Sequence, residues 1–473
     1  MKDQNRSARL LDALVLLCVV AFAVAMTKMT ADAQIVGEWR DTRDSPPSFP
    51  PNVGGEATRA YTYTAFLPLI QKQGPPQAKL GVDFGFLMID SDVLDYDFPL
   101  AKEMGADWAR VFLSWLEVEK SPGEYDWDKY DPVLERFGEL GFSTIVVIYG
   151  APDWAAVESC GPISDTLALE SFLEALVPRY AEIVDAWEFI NEPDGREPHH
   201  LYGPMIGCWG LQPAEYARQL GIFYDKVRHL DPDALVFFGG LAYDCWGHGE
   251  PWDVFERDFF EKALQNGAGR YFDGVSLHYY PISPEEFPTM AHKVNEIRDT
   301  MTRNGVYGKK IWITETGQWV NLNGSVELQR DFIVQEFARG FGAGVDNIFW
   351  FDPREHPVLE NGAHRWLISD NHEPINGYNT FQNLADKLEG MHCVGGYGDV
   401  PENIEAYQFR GPERSLYVMW SNAITETVRI PATADAVLTN RDGDESSTLP
   451  VQMGIVEFEV GAKPVFVEIV DSE

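Results

Sequence analysis

Hydrophobic positions in the middle of the chain alternate between two patterns. From Lys79 to about Gly390, short runs rich in Val, Ile, Phe and Trp are separated by longer stretches in which apolar residues recur at helical spacing. Short apolar runs indicate buried strands and the 3.6-residue period indicates amphipathic helices, so the alternation predicts βα units around a parallel sheet. The eight predicted strands are residues 80–86, 108–114, 143–149, 185–190, 235–239, 274–279, 310–314 and 347–351.

Predicted helices lie between these strands, and several of them end at a glycine, which is the residue that a helix C-cap favours. They span residues 133–140, 168–183, 213–230, 255–265, 290–304, 326–341 and 378–388. Eight βα units over about 310 residues match the (β/α)₈ barrel. An open doubly wound sheet is the alternative, but it would normally carry a glycine-rich phosphate turn after its first strand, and Asp83-Phe84-Gly85-Phe86 is not one.

After Met391 the pattern changes to short alternating segments at residues 404–409, 416–420, 427–430, 437–439, 455–460 and 464–469. This period of two, interrupted by turns such as Asp442-Gly443, predicts a small antiparallel β-sandwich over residues 391–473. The fold expected is therefore an α/β (β/α)₈ barrel at 79–390, followed by a sandwich with a structural role against it.

The N-terminal residues 1–33 have the layout of a secretory signal peptide. Basic residues precede an apolar run at 13–26, and the small-residue site Ala31-Asp32-Ala33 follows. The run is shorter than the roughly 20 residues of a membrane span, so we expect no stable insertion beyond the signal, with an uncleaved anchor as the alternative. Seven prolines in residues 34–78 predict a linker.

Charge excludes one class of partner. The 37 Lys and Arg residues against 74 Asp and Glu give a formal net charge of −37, and such a surface repels phosphate backbones. We therefore expect no nucleic-acid partner, and the sequence favours no particular oligomeric state.

Cysteines and histidines show no metal-ligand spacing, so the sequence predicts no catalytic metal and no other cofactor. In an exported protein the cysteines could instead form disulfides. Cys160, Cys208 and Cys245 fall in loops on one face of the expected barrel, where one bridge is plausible, and Cys393 is expected to stay free.

Polar residues at strand ends indicate where chemistry would occur, because a barrel carries its active site at the carboxyl ends of its strands. The fourth strand ends in Asn191-Glu192-Pro193 and the seventh in Thr314-Glu315-Thr316. Two carboxyl groups facing each other across the barrel mouth are what glycosidic-bond cleavage requires.

On these motifs the chain resembles clan A of the glycoside hydrolases over residues 79 to 390. The resemblance implies that Glu192 is the acid/base, that Asn191 binds the sugar 2-hydroxyl and that Glu315 is the nucleophile. His278-Tyr279-Tyr280 matches the clan's His-x-Tyr, in which the tyrosine hydrogen-bonds the nucleophile. Arg110 matches an arginine that keeps the nucleophile ionised.

The resemblance also assigns Trp350 to the floor of the sugar subsite. The third strand runs into Pro152-Asp153-Trp154 without the histidine that family 5 members often carry there, and this segment looks more like family 39. Both families stay open, with Trp154 as a candidate substrate-binding residue. The other aromatic residues that could line subsites are Trp209, Trp246, Trp252 and Trp319.

The resemblance thus implies a secreted hydrolase that cleaves β-linked oligo- or polysaccharides with retention of configuration. A non-catalytic carbohydrate-binding protein and a transglycosylase are the alternatives. All three take a carbohydrate partner, and they differ in whether water, a sugar or nothing receives the glycosyl group.

Overall fold

A computed structural model describes residues 77–85, 91–199, 203–243, 254–280, 289–320, 324–354 and 364–470. The predicted signal peptide, and the linker up to residue 76, lie outside these ranges. Within the described part, no helix combines the length and the apolar character needed to cross a membrane. Residues 76–473 form one compact unit.

Eight parallel strands close into a barrel in chain order, which confirms the predicted fold. They are β1 (Lys79–Asp83), β2 (Trp108–Ser114), β3 (Ser143–Tyr149), β4 (Val184–Phe189), β5 (Leu235–Leu241), β6 (Gly274–Tyr279), β7 (Lys310–Thr316) and β8 (Asn347–Phe351).

Helices surround the strands. They are α1 (Phe98–Glu103), α2 (Trp115–Val118), α3 (Asp131–Leu140), α4 (Thr166–Tyr180), α5 (Pro213–Leu230), α6 (Phe259–Gln265), α7 (Met290–Arg303), α8 (Val326–Gly342) and α9 (Tyr378–Leu388), with a π-helical turn at Val93–Asp97 and a 3₁₀ turn at Ala268–Arg270. At Gly141, the C-cap of α3, φ is 69°, a left-handed conformation that favours glycine.

Side chains that point into the barrel form an apolar layer, which we call the floor: Trp108, Ile145, Ala186, Leu235, Phe237, Trp312 and Phe349. Gly81 of β1 lies against this layer, where an added Cβ would come within 2.4 Å of the Phe349 ring. Since side chains alternate along a strand, residues two positions further on point inward as well, nearer the carboxyl ends. These positions form the mouth of the barrel.

The C-terminal part is an antiparallel sandwich, as predicted. One sheet has the order β14-β13-β16-β11-β10-β9 and the other pairs β12 with β15. The strands are β9 (His392–Gly396), β10 (Ile404–Arg410), β11 (Arg414–Ser421), β12 (Glu426–Pro431), β13 (Ala436–Asn440), β14 (Ser446–Leu449), β15 (Ile455–Val460) and β16 (Val465–Val470).

The sandwich packs against α8. Phe409 of β10 lies edge-on to Phe341 of α8, with ring centroids 6.3 Å apart. Arg441 is almost completely buried and forms ion pairs with Glu327 and Asp331 of the same helix. Apolar and charged contacts together therefore join the sandwich to the barrel, in line with a structural role.

Candidate active site

Arg110 lies at the centre of the barrel mouth and is completely buried. Its Nε and Nη2 donate to the two carboxylate oxygens of Glu188 at 3.3 and 2.8 Å, and Nη2 also donates to Oδ1 of Asn191 at 3.1 Å. Its Nη1 donates to Oε1 of Glu315 at 2.8 Å and to Oδ2 of Asp83. All five N–H groups of the guanidinium thus have an acceptor.

Glu315, the last residue but one of β7, is held by groups from β2 and from the end of β6. Besides Arg110, the Tyr280 hydroxyl donates to its Oε2 at 3.0 Å, and Nε2 of His278 lies 3.3 Å from its Oε1. The strand register places His278 directly beside Glu315, with an irregularity just before this pair. The sequence-predicted Arg110, His278 and Tyr280 therefore all converge on Glu315.

Glu192 lies on the opposite side of the same imidazole. Nδ1 of His278 is 2.8 Å from Oε1 of Glu192, so the ring bridges the two glutamates. Glu192 follows Asn191 directly, and both reach the mouth because the backbone leaves strand geometry: Ile190 and Glu192 have φ values of 65° and 46°. The Asn191 amide donates to the Met205 carbonyl at 3.0 Å, which fixes its orientation.

Burial and charge separate the protonation behaviour of the two glutamates. Burial, together with the nearby charges of Glu315 and Asp194, raises the pKa of Glu192 well above its ordinary value. Burial also raises the pKa of Glu315, but Arg110, Tyr280 and Arg365 oppose this rise. These directions favour protonation of Glu192 over protonation of Glu315.

His278 is neutral in this environment. Burial and the positive charges of Arg110 and Lys293 lower its pKa well below the ordinary value. Lys293 of α7 is itself buried, and it donates to the backbone carbonyl of His278 at 2.7 Å. A neutral imidazole has one nitrogen that donates a hydrogen bond and one that accepts, so it can lie between two carboxyl groups without adding a charge.

Glu192, His278 and Glu315 also form a possible cation-ligand set, since one ligand atom from each lies within 4.8 Å of the others. One histidine with two carboxylates is a set that can bind a divalent metal. However, the 2.8 and 3.3 Å contacts of His278 already join these atoms, so the arrangement is accounted for without an ion.

No family model matches the chain, and no curated protein matches it. Solved structures do. A family 39 glycoside hydrolase from the gut symbiont Bacteroides cellulosilyticus WH2 has a TM-score of 0.65 at 18% identity, with 84% of this chain and 81% of that one covered. A family 30 endoxylanase from Clostridium papyrosolvens C71 has a TM-score of 0.61 at 14% identity, covering 84% and 98%.

A glucosidase from Croceicoccus marinus is similar as well, with a TM-score of 0.58 at 14% identity and coverage of 84% and 96%. The chain shares the (β/α)₈ barrel fold of these glycoside hydrolases. In this fold the strand-4 and strand-7 glutamates of our chain occupy the barrel mouth, where the sequence motifs placed them.

The structure corrects the expectation for Trp350. Its side chain is fully buried outside the barrel, where it packs against Phe332 and Phe337 of α8 and donates to the Arg365 carbonyl at 3.0 Å. A sugar in the mouth cannot stack on it. The next residue, Phe351, points inward instead, and its ring lies 6.5 Å from that of Tyr280.

The loop tryptophans divide into two groups. Trp154 is partly exposed and packs edge-on to Trp115, while its indole donates to the Glu119 carbonyl at 3.3 Å. Trp209 is fully buried against Phe189, so it packs its loop and lines no subsite. Trp319 is partly exposed at the mouth, and Trp246 and Trp252 lie outside the described residues.

Three ionisable residues of the site were not predicted. Asp83 and Glu188 point into the mouth from β1 and β4, and both are fully buried. The Arg365 guanidinium carbon lies 4.7, 4.4 and 4.8 Å from the ring centroids of Tyr280, Trp319 and Phe351. A carboxylate inside each of the apolar runs LGVDF and DAWEF was a usable signal for the first two.

A disulfide joins two loops on the mouth side. Cys160, after β3, is bonded to Cys208, after β4, with the Cα atoms 5.3 Å apart. This is one of the bridges that the sequence left open. Cys393 has no disulfide partner, and Cys245 lies outside the described residues.

Proposed function

We propose that the protein is an exported glycoside hydrolase that cleaves β-glycosidic bonds with retention of configuration. The observation that carries this proposal is the pairing of Glu192 and Glu315, whose nearest carboxylate oxygens lie within 4.8 Å of each other. Retaining enzymes hold their two carboxyl groups about 5–5.5 Å apart, whereas inverting enzymes need about 6.5–9.5 Å to admit a water molecule. The short spacing therefore favours retention.

The chemistry follows from the different environments of the two groups. Glu315 attacks the anomeric carbon, and the proton on Glu192 passes to the leaving glycosidic oxygen as that bond breaks. Water then transfers a proton to Glu192 and attacks the glycosyl-enzyme, which releases Glu315. Because burial and Glu315 raise the pKa of Glu192, it holds its proton at the pH where Glu315 is ionised.

The groups around the pair have roles in this scheme. Arg110 and Tyr280 hold the Glu315 carboxylate in place through bonds of 2.8 and 3.0 Å. Asn191 presents a side-chain amide beside Glu192, where the sugar 2-hydroxyl would lie in a clan A enzyme. Phe351, rather than Trp350, is the inward aromatic residue available to contact the sugar ring.

Export is part of the proposal. The signal-like residues 1–33 support it, and so does the Cys160–Cys208 disulfide, because such bonds persist in oxidising compartments. The substrate proposed is a neutral glycan. Because an endoxylanase and a glucosidase share the fold, β-xylosides and β-glucosides are the first compounds to test.

The test is hydrolysis of a panel of 4-nitrophenyl β-glycosides by wild type, Glu192→Gln and Glu315→Gln. We expect wild-type turnover on at least one compound and a loss of about 10²–10⁴-fold in each variant, since each removes a group that acts in the transition state. Glu139→Gln, at an exposed position on α3, is the matched control and should keep full activity.

Three results would contradict the proposal. Wild-type-like turnover in both glutamine variants would remove Glu192 and Glu315 from the chemistry. Glycan binding without any product across the panel would indicate a non-catalytic binding protein, and sugar-to-sugar transfer in place of hydrolysis would indicate a transglycosylase.

A further inference from the structure

The Nη1 nitrogen of Arg110 serves two carboxylates at once. One of its hydrogens is directed to Oε1 of Glu315 at 2.8 Å and the other to Oδ2 of Asp83. The other guanidinium hydrogens bind Glu188 and Asn191. A single positive charge is therefore divided among three buried carboxylates, of which only Glu315 has a role in the proposed chemistry.

Asp83 is placed as an ion partner of Arg110. It is fully buried at the end of β1, its Oδ1 accepts the backbone N–H of Gly85 at 2.7 Å, and its Oδ2 accepts from Arg110. Both oxygens thus face donors, an arrangement that suits a carboxylate rather than a neutral side chain. An aspartate inside an apolar strand is otherwise unfavourable, so its position calls for an explanation.

We propose that Asp83 is a positioning residue that tunes the nucleophile: by holding one side of Nη1, it limits how strongly Arg110 binds Glu315. This inference rests on the proposed function, because it gives Glu315 the nucleophile's role. A carboxylate that is fully neutralised by a guanidinium attacks poorly. Dividing the charge of Arg110 keeps Glu315 in place and leaves more electron density on its oxygens.

Several charged or titratable groups face Glu315 and determine the sign of the effect. Arg110 from β2 and Arg365 from the segment after β8 are positive, Tyr280 donates a hydrogen bond, and His278 from β6 is neutral. The pKa of Glu192 is raised well above its ordinary value, so Glu192 is the protonated partner in the proposed chemistry. Lys293 of α7 and Asp194 act on Glu192, and Asp83 and Glu188 share Arg110 with Glu315.

Asp83 itself faces Arg110 and Glu315. Burial raises the pKa of Asp83 well above its ordinary value, Arg110 opposes this rise, and the charge of Glu315 adds to it, as expected for two carboxylates that share one nitrogen of Arg110. Removing the charge of Asp83 should consequently strengthen the Arg110–Glu315 ion pair and lower the pKa of Glu315.

The experiment compares kcat/KM against pH for wild type and Asp83→Asn on an aryl glycoside that the wild type hydrolyses. The acidic limb of this profile reports ionisation of the nucleophile in the free enzyme. We expect Asp83→Asn to move the acidic limb down by about one pH unit and to lower kcat. An unmoved acidic limb, with activity reduced equally at all pH values, would overturn the proposal in favour of a purely structural role.

Two further variants serve as controls, and they should shift the acidic limb in opposite directions. Arg365→Gln removes a positive charge near Glu315 and should move the acidic limb upward. Glu188→Gln also removes a carboxylate from Arg110, but at the Nε and Nη2 edge, away from Glu315, so its downward shift should be smaller than that of Asp83→Asn. Equal shifts in Glu188→Gln and Asp83→Asn would refute the specific role of Nη1.

A measurement without turnover separates this proposal from the proposed function. Glutamate labelled with ¹³C at the carboxyl carbon, with the Glu315 signal assigned by its absence in Glu315→Gln, gives the titration of Glu315 directly by NMR. We expect a lower midpoint in Asp83→Asn, or in Asp83→Ser if the asparagine variant does not fold. In wild type we expect a two-step curve that reflects Asp83. A single-step wild-type curve with an unmoved midpoint in the variant would overturn the inference, whereas absence of any hydrolysis by wild type would overturn the proposed function alone.

Discussion

The floor and the mouth of the barrel are built by the same strands, two residues apart, yet they differ completely in chemistry. On β4 the inward residue changes from Ala186 to Glu188, and on β2 it changes from Trp108 to Arg110. The floor gains stability from apolar contact. The mouth contains buried charges, which are tolerable only because the five donors of Arg110 all find acceptors. Along these strands the first inward residue stabilises the fold, and the inward residue two positions further on belongs to the candidate active site.

The strongest test of this contrast is to remove the charge that holds the mouth together. Arg110→Met leaves Asp83, Glu188 and Glu315 buried without their cation, so it should lower the free energy of unfolding by about 3–5 kcal/mol. Hydrolysis should fall by at least about 10²-fold, since Glu315 loses its principal donor.

Denaturant unfolding and aryl glycoside turnover measure these two effects. Arg429→Met is the control, because the Arg429–Glu457 pair is exposed and should matter little for stability. A stable, active Arg110→Met protein would show that the mouth does not depend on this ion network.

A change in the floor should have the converse effect. Ile145→Ala opens a cavity in the apolar layer and should lower the free energy of unfolding by about 2–5 kcal/mol. The kcat of the folded protein should stay at the wild-type value, because the Ile145 side chain packs in the apolar layer of the floor. Activity assays at a temperature well below the unfolding transition check this. A large fall in kcat would mean that floor and mouth are not separable.

The disulfide tests how the loops of the mouth are held. Replacing Cys160 and Cys208 together by serine should lower the free energy of unfolding by about 2–4 kcal/mol, measured by denaturation. KM should rise as well, because Cys208 follows closely on Met205, whose carbonyl orients Asn191. Wild-type stability and KM in the double variant, or in wild type treated with a reductant, would contradict this account.

The smallest effect expected is the contribution of Glu192 to the pH dependence of stability. Because the pKa of Glu192 is raised in the folded state, the unfolded chain releases this proton first, near pH 4.3, and wild-type stability falls as the pH rises above that value. In Glu192→Gln the part of this loss that belongs to Glu192 should be absent, so stability should fall less between pH 4 and 7 than it does in wild type.

Chemical denaturation at several pH values measures the difference, and Ile145→Ala should parallel wild type. If Glu192→Gln loses stability with pH as steeply as wild type does, Glu192 is not the group that retains a proton.

The sequence allowed the barrel to be predicted because its strands are short apolar runs between amphipathic helices, and β2, β3 and β6 were predicted with the bounds that the structure has. Two sandwich strands, β9 and β14, were not predicted. Their residues are mostly exposed or half-buried and show no clear alternation, so pairing with neighbouring strands, rather than local pattern, determines their structure.

Site residues could be predicted where they stand in a recognisable motif. They could not be predicted where only the direction of the side chain decides whether it reaches the site. Glu192 and Glu315 stand in motifs at strand ends. In β8 both faces are apolar, so nothing in Asn-Ile-Phe-Trp-Phe distinguishes the inward Phe351 from the outward Trp350. Asp83 and Glu188 were detectable only as carboxylates inside apolar runs, because the Arg110 contacts that join them to the site link strands distant in sequence.

The central claim is that Glu315 attacks the sugar while Glu192 supplies the proton. The most direct test is to incubate the protein with an activated 2-deoxy-2-fluoro derivative of the sugar it hydrolyses, digest it, and locate the added glycosyl mass by peptide mass spectrometry. We predict a covalent glycosyl group on the peptide that contains Glu315, attached to Glu315 itself. A label on another residue, or no label while hydrolysis yields the inverted anomer, would contradict the account.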